Sequence, residues 1–284
     1  MIVIDGSEVA KQIRIKVKKE VASLVEKYQV VPHLAVILIG NNPASESYVS
    51  GKEKACEKTG IQSTVIRLNT DVTTKEVFEV IENLNQDPLV HGILLQLPIP
   101  QHLDSEFLID AIRDKKDVDG FTSKNISKLY AGKKGMVPCT PKGIMTLLDY
   151  YNIDIESKQC TVLGRSQIVG KPMANLLLNR NGTVTICHSR TKDLATVCKN
   201  ADILVVAVGK PKMVDKSFVK EGATVIDVGI NRVDGVIVGD VDFESVSSVA
   251  AYLTPVPKGV GPMTIATLLE NTLECYKLIV GENI

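Results

Sequence analysis

Short, nearly continuous apolar runs alternate along this chain with longer segments of helical period. Leu34–Ile39, Ser63–Leu68, His91–Leu97, Cys160–Leu163, Thr183–Cys187, Ile203–Val208 and Thr224–Val228 read as strands, several of them ending at a glycine (Gly40, Gly164, Gly209, Gly229). Between them, Val9, Ala10, Ile13, Val17, Val21, Leu24 and Val25 recur at helical spacing across residues 7–30, with Ser7 as the expected N-cap. Further helices are expected over Ala44–Thr59, stopped by Gly60, and Thr74–Asn85, capped by Thr73. From Arg113 to Pro141 the periodicity fades into a stretch punctuated by Gly120, Gly132, Gly135 and Pro138, and so large an irregular loop is usually functional or mobile. Thr140-Pro141 opens a helix to about Tyr151, Arg232–Val238 reads as a small hairpin, Ala250–Thr254 as a last strand, and Thr264–Ile279 as a final helix.

Strands alternating with helices predict an α/β protein with parallel sheets, divided into two lobes. The first spans residues 1–139, and a Rossmann-type dinucleotide-binding lobe starts at 140 and reaches about 255. Binding sites favour domain interfaces and the carboxyl ends of parallel strands, so a cleft between the lobes is the expected site. The second lobe is organised around Gln159–Arg190. There a strand runs into Gly164-Arg165-Ser166-Gln167-Ile168-Val169-Gly170, then into a helix with Lys171-Pro172 in its first turn and a second strand. Ser166 stands where the second glycine of a strict G-x-G-x-x-G would be, and an ordinary tight βα turn also fits. The second strand ends in Cys187-His188-Ser189-Arg190, without the acidic residue that holds an NAD ribose. Ser189 with a guanidinium from Arg165 or Arg190 suits a 2′-phosphate, so NADP is expected over NAD.

Composition narrows the class. The chain has 284 residues, 44% hydrophobic, with 33 basic and 33 acidic residues, so no net field draws it to a polyanion and no nucleic-acid role is expected. No run approaches the roughly 18 apolar residues of a membrane span, and Met1–Ile13 does not read as a signal peptide. Six scattered cysteines without C-x-x-C read as reduced thiols of a cytosolic, cytoplasmic protein, and four histidines without paired spacing give no metal site.

Outside the nucleotide fold three features carry candidate chemistry. Tyr48 and Lys52, at i and i+4, share a helix face, where a ring could stack on a flat ligand while an amine moves a proton; on spacing alone a rim tyrosine and a solvent-exposed lysine are the commoner outcome. Gln96 ends a strand and either enters the cleft or bonds the next loop. Lys116-Asp117-Val118-Asp119-Gly120 sets two carboxylates at i and i+2; Asp119 either accepts from a heterocycle's N–H groups or simply makes an Asp-Gly turn.

Together these stretches resemble the bifunctional methylenetetrahydrofolate dehydrogenase/methenyltetrahydrofolate cyclohydrolase family. The matching segments, in family order, are Ser47-Tyr48-Val49 with Lys52, Gln96-Leu97-Pro98, Lys116–Phe121, Pro138–Gly143, Gly164-Arg165-Ser166 with Ile168–Pro172, His188–Thr191, Ile226–Asn231, and Thr254–Pro257 through Met263-Thr264. The resemblance implies oxidation of 5,10-methylenetetrahydrofolate with NADP, then hydrolysis of the methenyl product to 10-formyltetrahydrofolate in the same cleft. It implies Lys52 as the principal group of the hydrolysis, Gln96 tuning it, Tyr48 stacking on the aminobenzoyl ring and Asp119 holding the pterin. Leu97, Pro257 and Gly261 fall at its substrate-binding positions, and Gly164, Arg165, Ser166, Ser189, Ile230 and Thr264 at its cofactor-binding positions. A homodimer is implied, as is a last helix, about 262–284, that returns to complete the first lobe and leaves 140–261 to the cofactor.

The chemistry fits these residue types. A lysine with the ordinary pKa of about 10.4 is neutral in roughly one of a few thousand copies at pH 7, so a lysine base needs burial or neighbouring cations. Hydride transfer needs no protein nucleophile, only alignment. The chain departs from the family pattern at Thr122 (commonly histidine), Ser127 (commonly glycine), Gln167, and Lys258, which interrupts a Pro-Gly-Gly-Val-Gly-Pro run. If position 258 needs positive φ, lysine there costs about 1 kcal/mol or more. Two other readings remain: a dehydrogenase lacking efficient cyclohydrolase, and a regulatory nucleotide-binding module without catalysis.

Overall fold

The computed structural model describes residues 1–282, so Asn283 and Ile284, the end of the expected 262–284 segment, lie outside the described residues. The chain starts with β1 (Ile2–Val3) and α1 (Gly6–Tyr28), then runs β2 (His33–Ile39), α2 (Pro43–Thr59), β3 (Gln62–Leu68), α3 (Thr74–Gln86) and β4 (Gly92–Leu95). Two short helices follow, α4 (Ser105–Asp110) and α5 (Ser123–Tyr130), before α6 (Cys139–Tyr150). Next come β5 (Gln159–Leu163), α7 (Gly170–Asn179), β6 (Thr183–Cys187), α8 (Leu194–Lys199), β7 (Ile203–Val206) and β8 (Thr224–Asp227). A hairpin of β9 (Asn231–Val233) and β10 (Val236–Val238), then α9 (Phe243–Ser247), β11 (Tyr252–Leu253) and α10 (Val260–Val280), complete the chain.

These elements form two compact units. One comprises Met1–Ala10 and Thr140–Thr264, the other Lys11–Cys139 and the chain from Ile265 onward. The expectation that residues 1–139 stay together needs correcting at its start. Ile2 and Val3 pair in parallel with Tyr252 and Leu253, and Ile4 is fully buried, so the first ten residues join the nucleotide-binding unit. Two-residue strands carry no period, which is why β1 is invisible in the sequence.

In the larger sheet the order is β1-β11-β8-β7-β5-β6, every pair parallel. Its core gathers Leu163, Leu204, Val206, Val225, Val241 and Leu253. The other unit holds β3-β2-β4, also parallel, extended by a bridge between Ile93 and Asp117. The β2 run is buried from Leu34 to Ile39 without alternation, the signature of a parallel strand covered on both faces.

Two local expectations change. Ser7 does not cap α1; the Asp5 carboxylate accepts from the Ser7 and Glu8 N–H groups at 2.9 and 3.2 Å. The stretch taken as irregular contains α5, with Thr122 as its N-cap accepting from Asn125 N–H, so Thr122 and Ser127 are helix residues. Elsewhere the terminal residues are as expected: Thr73 caps α3, where the structure adds a reciprocal capping box with Glu76, and Gly60 closes α2 at φ 81°.

Candidate functional site

In the three-stranded unit, α2 carries Tyr48 and Lys52 one turn apart. Asn42 fixes where that helix starts, its side chain accepting from the Ala44 and Ser45 N–H groups. The Lys52 ammonium donates to Gln96 Oε1 at 2.9 Å, and Gln96 Nε2 donates to the Leu97 carbonyl at 2.7 Å. Gln96 is 9% exposed at the carboxyl end of β4 and Leu97 is half-buried, its peptide bond to Pro98 being cis. Tyr48 is 43% exposed, and partial burial of its hydroxyl raises its pKa. A tyrosine ring that open to solvent, beside an amine, suits stacking against a planar ligand.

The two carboxylates after β4 divide into distinct roles. Asp117 is buried and saturated: Oδ1 accepts from the Gly120 and Phe121 N–H groups, Oδ2 from Thr122 N–H and Asn125 Nδ2. It makes the turn. Gly120 sits at φ 68°, and a Cβ there would lie 2.7 Å from the Val137 carbonyl carbon, so the turn demands glycine. Asp119 makes none of those turn contacts. Its carboxyl is pushed up to about 6, chiefly by burial, while the Lys52 charge opposes that rise, Asp117 adds to it, and the Cys139 thiol bond pulls down. Cys139 Sγ donates to Val118 O and, at 3.8 Å, to Asp119 Oδ1. Asn271 of α10 donates to Val118 O and Val137 O at 2.8 and 2.9 Å, pinning the backbone on either side of that carboxylate. Asn271 belongs to no motif, and Cys139, although inside the Pro138–Gly143 segment, gives no local sign of its contact with Asp119, because each acts at long sequence separation.

In the six-stranded unit, the turn after β5 is held at close quarters. Gly164 has φ 131°, a Cβ on it would fall 2.2 Å from Ala207 O, and one on Gly170 would fall 2.3 Å from Gly164 O. Ser166 Oγ accepts from the Val169 and Gly170 N–H groups at 3.2 Å each, tying the turn to the start of α7. Arg165 and Ser166 are exposed beside that helix start. After β6, His188 N–H donates to Thr191 Oγ1 and Arg190 N–H to His188 Nδ1, which leaves Ser189 and Arg190 exposed at a tight turn. Ile230 is 50% exposed after β8, and a Cβ on Gly261 would be 3.7 Å from its Cδ1. Thr264 shares a 2.9 Å hydroxyl contact with Thr140, and Pro257, exposed, follows a cis peptide bond from Val256. A turn closed by Gly164 and Gly170 at a helix N-terminus, with exposed guanidinium and hydroxyl groups, suits a phosphorylated dinucleotide.

Among the described residues no group of three or more His, Cys, Asp or Glu side chains could hold a metal ion, and no helix is long and apolar enough to cross a membrane.

Comparison with known proteins places these two sites in context. A family model described as the tetrahydrofolate dehydrogenase/cyclohydrolase catalytic domain matches residues 4–119, and one described as the NAD(P)-binding domain of the same proteins matches residues 138–280. A relative from Agathobacter rectalis, the bifunctional protein FolD, is 54% identical over 275 residues, 96% of this chain and 98% of its own length. A FolD structure from Campylobacter jejuni superposes with a TM-score of 0.96 at 48% identity, covering 98% of this chain and 99% of that one. The Trypanosoma brucei FolD, solved with NADP and an inhibitor, is 38% identical with a TM-score of 0.94, covering 98% and 97%.

Proposed function

The chain belongs to the tetrahydrofolate dehydrogenase/cyclohydrolase family, and on that premise we propose how its residues divide the two reactions. It is a bifunctional enzyme that oxidises 5,10-methylenetetrahydrofolate with NADP and hydrolyses the resulting methenyl compound to 10-formyltetrahydrofolate. NADP, when bound, supplies the hydride acceptor. The chain's own residues bind, orient and move protons.

Lys52 is the acid/base of the hydrolysis. The methenyl carbon is an electrophilic amidinium-type centre, so its hydrolysis needs a water deprotonated as it attacks and a ring nitrogen protonated as it leaves. An amine beside that carbon serves both steps. Gln96 accepts one Lys52 proton at 2.9 Å and so aims the nitrogen. Asp119 holds the pterin by its amino and ring N–H groups, and a carboxylate whose proton affinity is already raised makes stronger bonds to such donors. Tyr48 stacks on the aminobenzoyl ring; Leu97, Pro257 and Gly261 line the substrate. Gly164, Arg165 and Ser166 take the phosphates, Ser189 the 2′-phosphate, and Ile230 and Thr264 the nicotinamide end. The contact that carries this assignment is the one between Lys52 and Gln96 with Asp119 in electrostatic reach.

The setting we propose is a cytoplasmic homodimer. Support for the dimer comes from β6, a sheet-edge strand exposed at Thr183, Thr185 and Ile186, next to the exposed Leu178 of α7. The functional test uses purified protein with each half-reaction separately. Reduced cofactor should accumulate from methylenetetrahydrofolate and NADP, and added methenyltetrahydrofolate should decay faster than its uncatalysed hydrolysis. Failure of the first with both NADP and NAD would sink the dehydrogenase; failure of the second alone would leave a dehydrogenase without cyclohydrolase.

A further inference from the structure

Two carboxylates lie buried at the carboxyl ends of β7 and β8, where nothing in the chemistry above calls for negative charge. Asp240 is fully buried and accepts four hydrogen bonds: Oδ2 from the Val208 and Gly209 N–H groups at 2.7 and 2.9 Å, Oδ1 from Lys210 N–H and Asn231 Nδ2 at 2.8 Å each. Asp227, 3% exposed, accepts from Gly229 and Asp240 N–H through Oδ1 and from Val241 N–H through Oδ2. Backbone donors from three separate loops therefore converge on one pair of acids. The packing leaves no slack: a Cβ on Gly229 would be 2.4 Å from Asp240 Cγ, and one on Gly239 would be 1.8 Å from Asp227 Oδ2.

The loops so held are those that face the cofactor in a doubly wound sheet, after the strands' carboxyl ends. Ala207 immediately precedes the captured Val208 and Gly209, and its carbonyl oxygen abuts Gly164 of the phosphate turn. Asn231 immediately follows Ile230. We propose that Asp240, seated on Asp227, is the positioning residue of the cofactor site, locking the Val208–Lys210 and Ile230–Asn231 loops against the Gly164 turn. This inference rests on the NADP reading above and deepens it. Only an ionised carboxylate offers four acceptor sites and no donor, so an amide at 240 must turn its NH₂ onto N–H groups that cannot move aside. Burial without a countercharge is tolerated because the backbone donors stand in for one.

The test compares Asp240→Asn and Asn231→Ala with the parent enzyme, measuring dehydrogenase KM for NADP and kcat, equilibrium binding of NADP, thermal midpoint, and hydrolysis of methenyltetrahydrofolate without cofactor. Asp240→Asn should lower dehydrogenase kcat/KM for NADP by about tenfold or more, and Asn231→Ala, which removes one donor and buries none unpaired, by about threefold to tenfold. Hydrolysis should stay within about twofold, because Lys52, Gln96 and Asp119, which are assigned its proton transfer and pterin contacts, lie in the other unit and none of Asp240's hydrogen-bond partners is assigned to the substrate. A merely structural role would lower both activities together with the thermal midpoint. Should Asp240→Asn not fold, Asn231→Ala decides: unchanged NADP binding and KM in that folded variant overturn the proposal. A parent protein that binds NADP without reducing it would remove the dehydrogenase reading and leave the binding comparison able to judge this one.

Discussion

Lys52 and Gln96, 44 residues apart in sequence, meet at 2.9 Å, and the amide's other end is already committed to the Leu97 carbonyl. The amide cannot flip without setting its NH₂ against the ammonium, so its oxygen stays on Lys52 and aims it. Replacing Lys52 by methionine keeps most of the apolar stem and removes the proton carrier. Lys52→Met should lower methenyltetrahydrofolate hydrolysis by about a hundredfold or more while NADP affinity stays within about twofold. Stopped-flow decay of the methenyl chromophore and cofactor titration check the two halves. Undiminished hydrolysis would move the proton-transfer role to another group.

Asp119 is held at a cost to stability. Its carboxyl titrates at about 6 when folded, mainly through burial, against about 3.8 unfolded. A raised acid pKa means the folded state binds the proton more tightly, so this group favours folding at low pH, and that contribution is lost as pH rises through 6. Asp119→Asn should therefore stabilise the protein by about 1–2 kcal/mol at pH 7.5, with the gain fading between pH 6 and 4, while folate KM rises about tenfold or more. Urea unfolding at pH 7.5 and 4.5 reads the first effect and steady-state kinetics the second. A variant less stable than the parent at pH 7.5 would show that the carboxylate is well solvated.

Long periodic segments and their stop signals were legible because each is a local matter. Thr73 before α3, Gly60 after α2, and the Gly164 turn into α7 all announce themselves within a few residues. The paired Asp117 and Asp119 were legible as a motif and ambiguous as chemistry. Which acid makes the turn depends on Asn125, 8 residues beyond Asp117, and on Val137 pressing against Gly120 from well down the chain. Short helices make too few turns to show a period, so α5 falls in a stretch that reads as irregular and α4 gives no signal of its own. Lys116 was read only as part of a charged motif. Its buried ammonium instead donates to Leu84 O and Asp87 O, closing the end of α3. Asp227 lies in the Ile226–Asn231 segment, but nothing in the sequence shows that it pairs with Asp240, since apart from Asn231 Nδ2 the pair's donors are backbone N–H groups.

Arg165 stands exposed on the phosphate turn and Ser189 at the tip after β6, where an NAD site would carry an acid. If Arg165 reads the 2′-phosphate, Arg165→Ala should weaken NADP by about tenfold or more and leave the already weaker NAD nearly unchanged. Parallel titrations with both cofactors make the comparison. Equal loss for the two would assign Arg165 to the shared pyrophosphate.

His91 is a buried histidine of the three-stranded unit whose protonation should oppose folding in acid. It is 1% exposed, its Nδ1 accepts from His33 N–H at 3.1 Å, and its ring packs edge-on against Tyr276 with centroids 4.8 Å apart. Burial, with the nearby charges of His33 and Lys116, pushes its pKa down to about 4. The unfolded chain takes the proton near 6.5 and the folded chain only near 4, so stability drains away as pH falls across that window. His91→Asn keeps an acceptor for His33 N–H and cannot be protonated. It should cost about 1–2 kcal/mol at pH 7.5 through the lost ring contact, yet flatten the decline between pH 6.5 and 4.5. Denaturant midpoints across that range decide it; an unchanged slope would place the acid sensitivity elsewhere.

Lys258 occupies φ 83°, the left-handed region that a side chain resists. Its backbone has no room to relax: its carbonyl accepts from Ser7 N–H at 3.0 Å, a Cβ on Gly6 would lie 1.9 Å from Gly259 O, and one on Gly259 would lie 2.4 Å from Pro255 O. Restoring glycine removes the clash and adds freedom to the unfolded chain, and the first effect is the larger. Lys258→Gly should thus stabilise the six-stranded unit by about 0.5–1 kcal/mol, raising its thermal midpoint by roughly 1–3 °C. The same variant asks whether the exposed ammonium has a job. Because Pro257 and Gly261 flank it at proposed substrate positions, an ammonium that touches a bound anion should make itself felt as a KM increase of more than about threefold on its removal. A stabilised variant with unchanged KM values for folate and NADP would mark Lys258 as a tolerated departure from glycine, and a destabilised one would mean that the side chain makes contacts worth more than the strain.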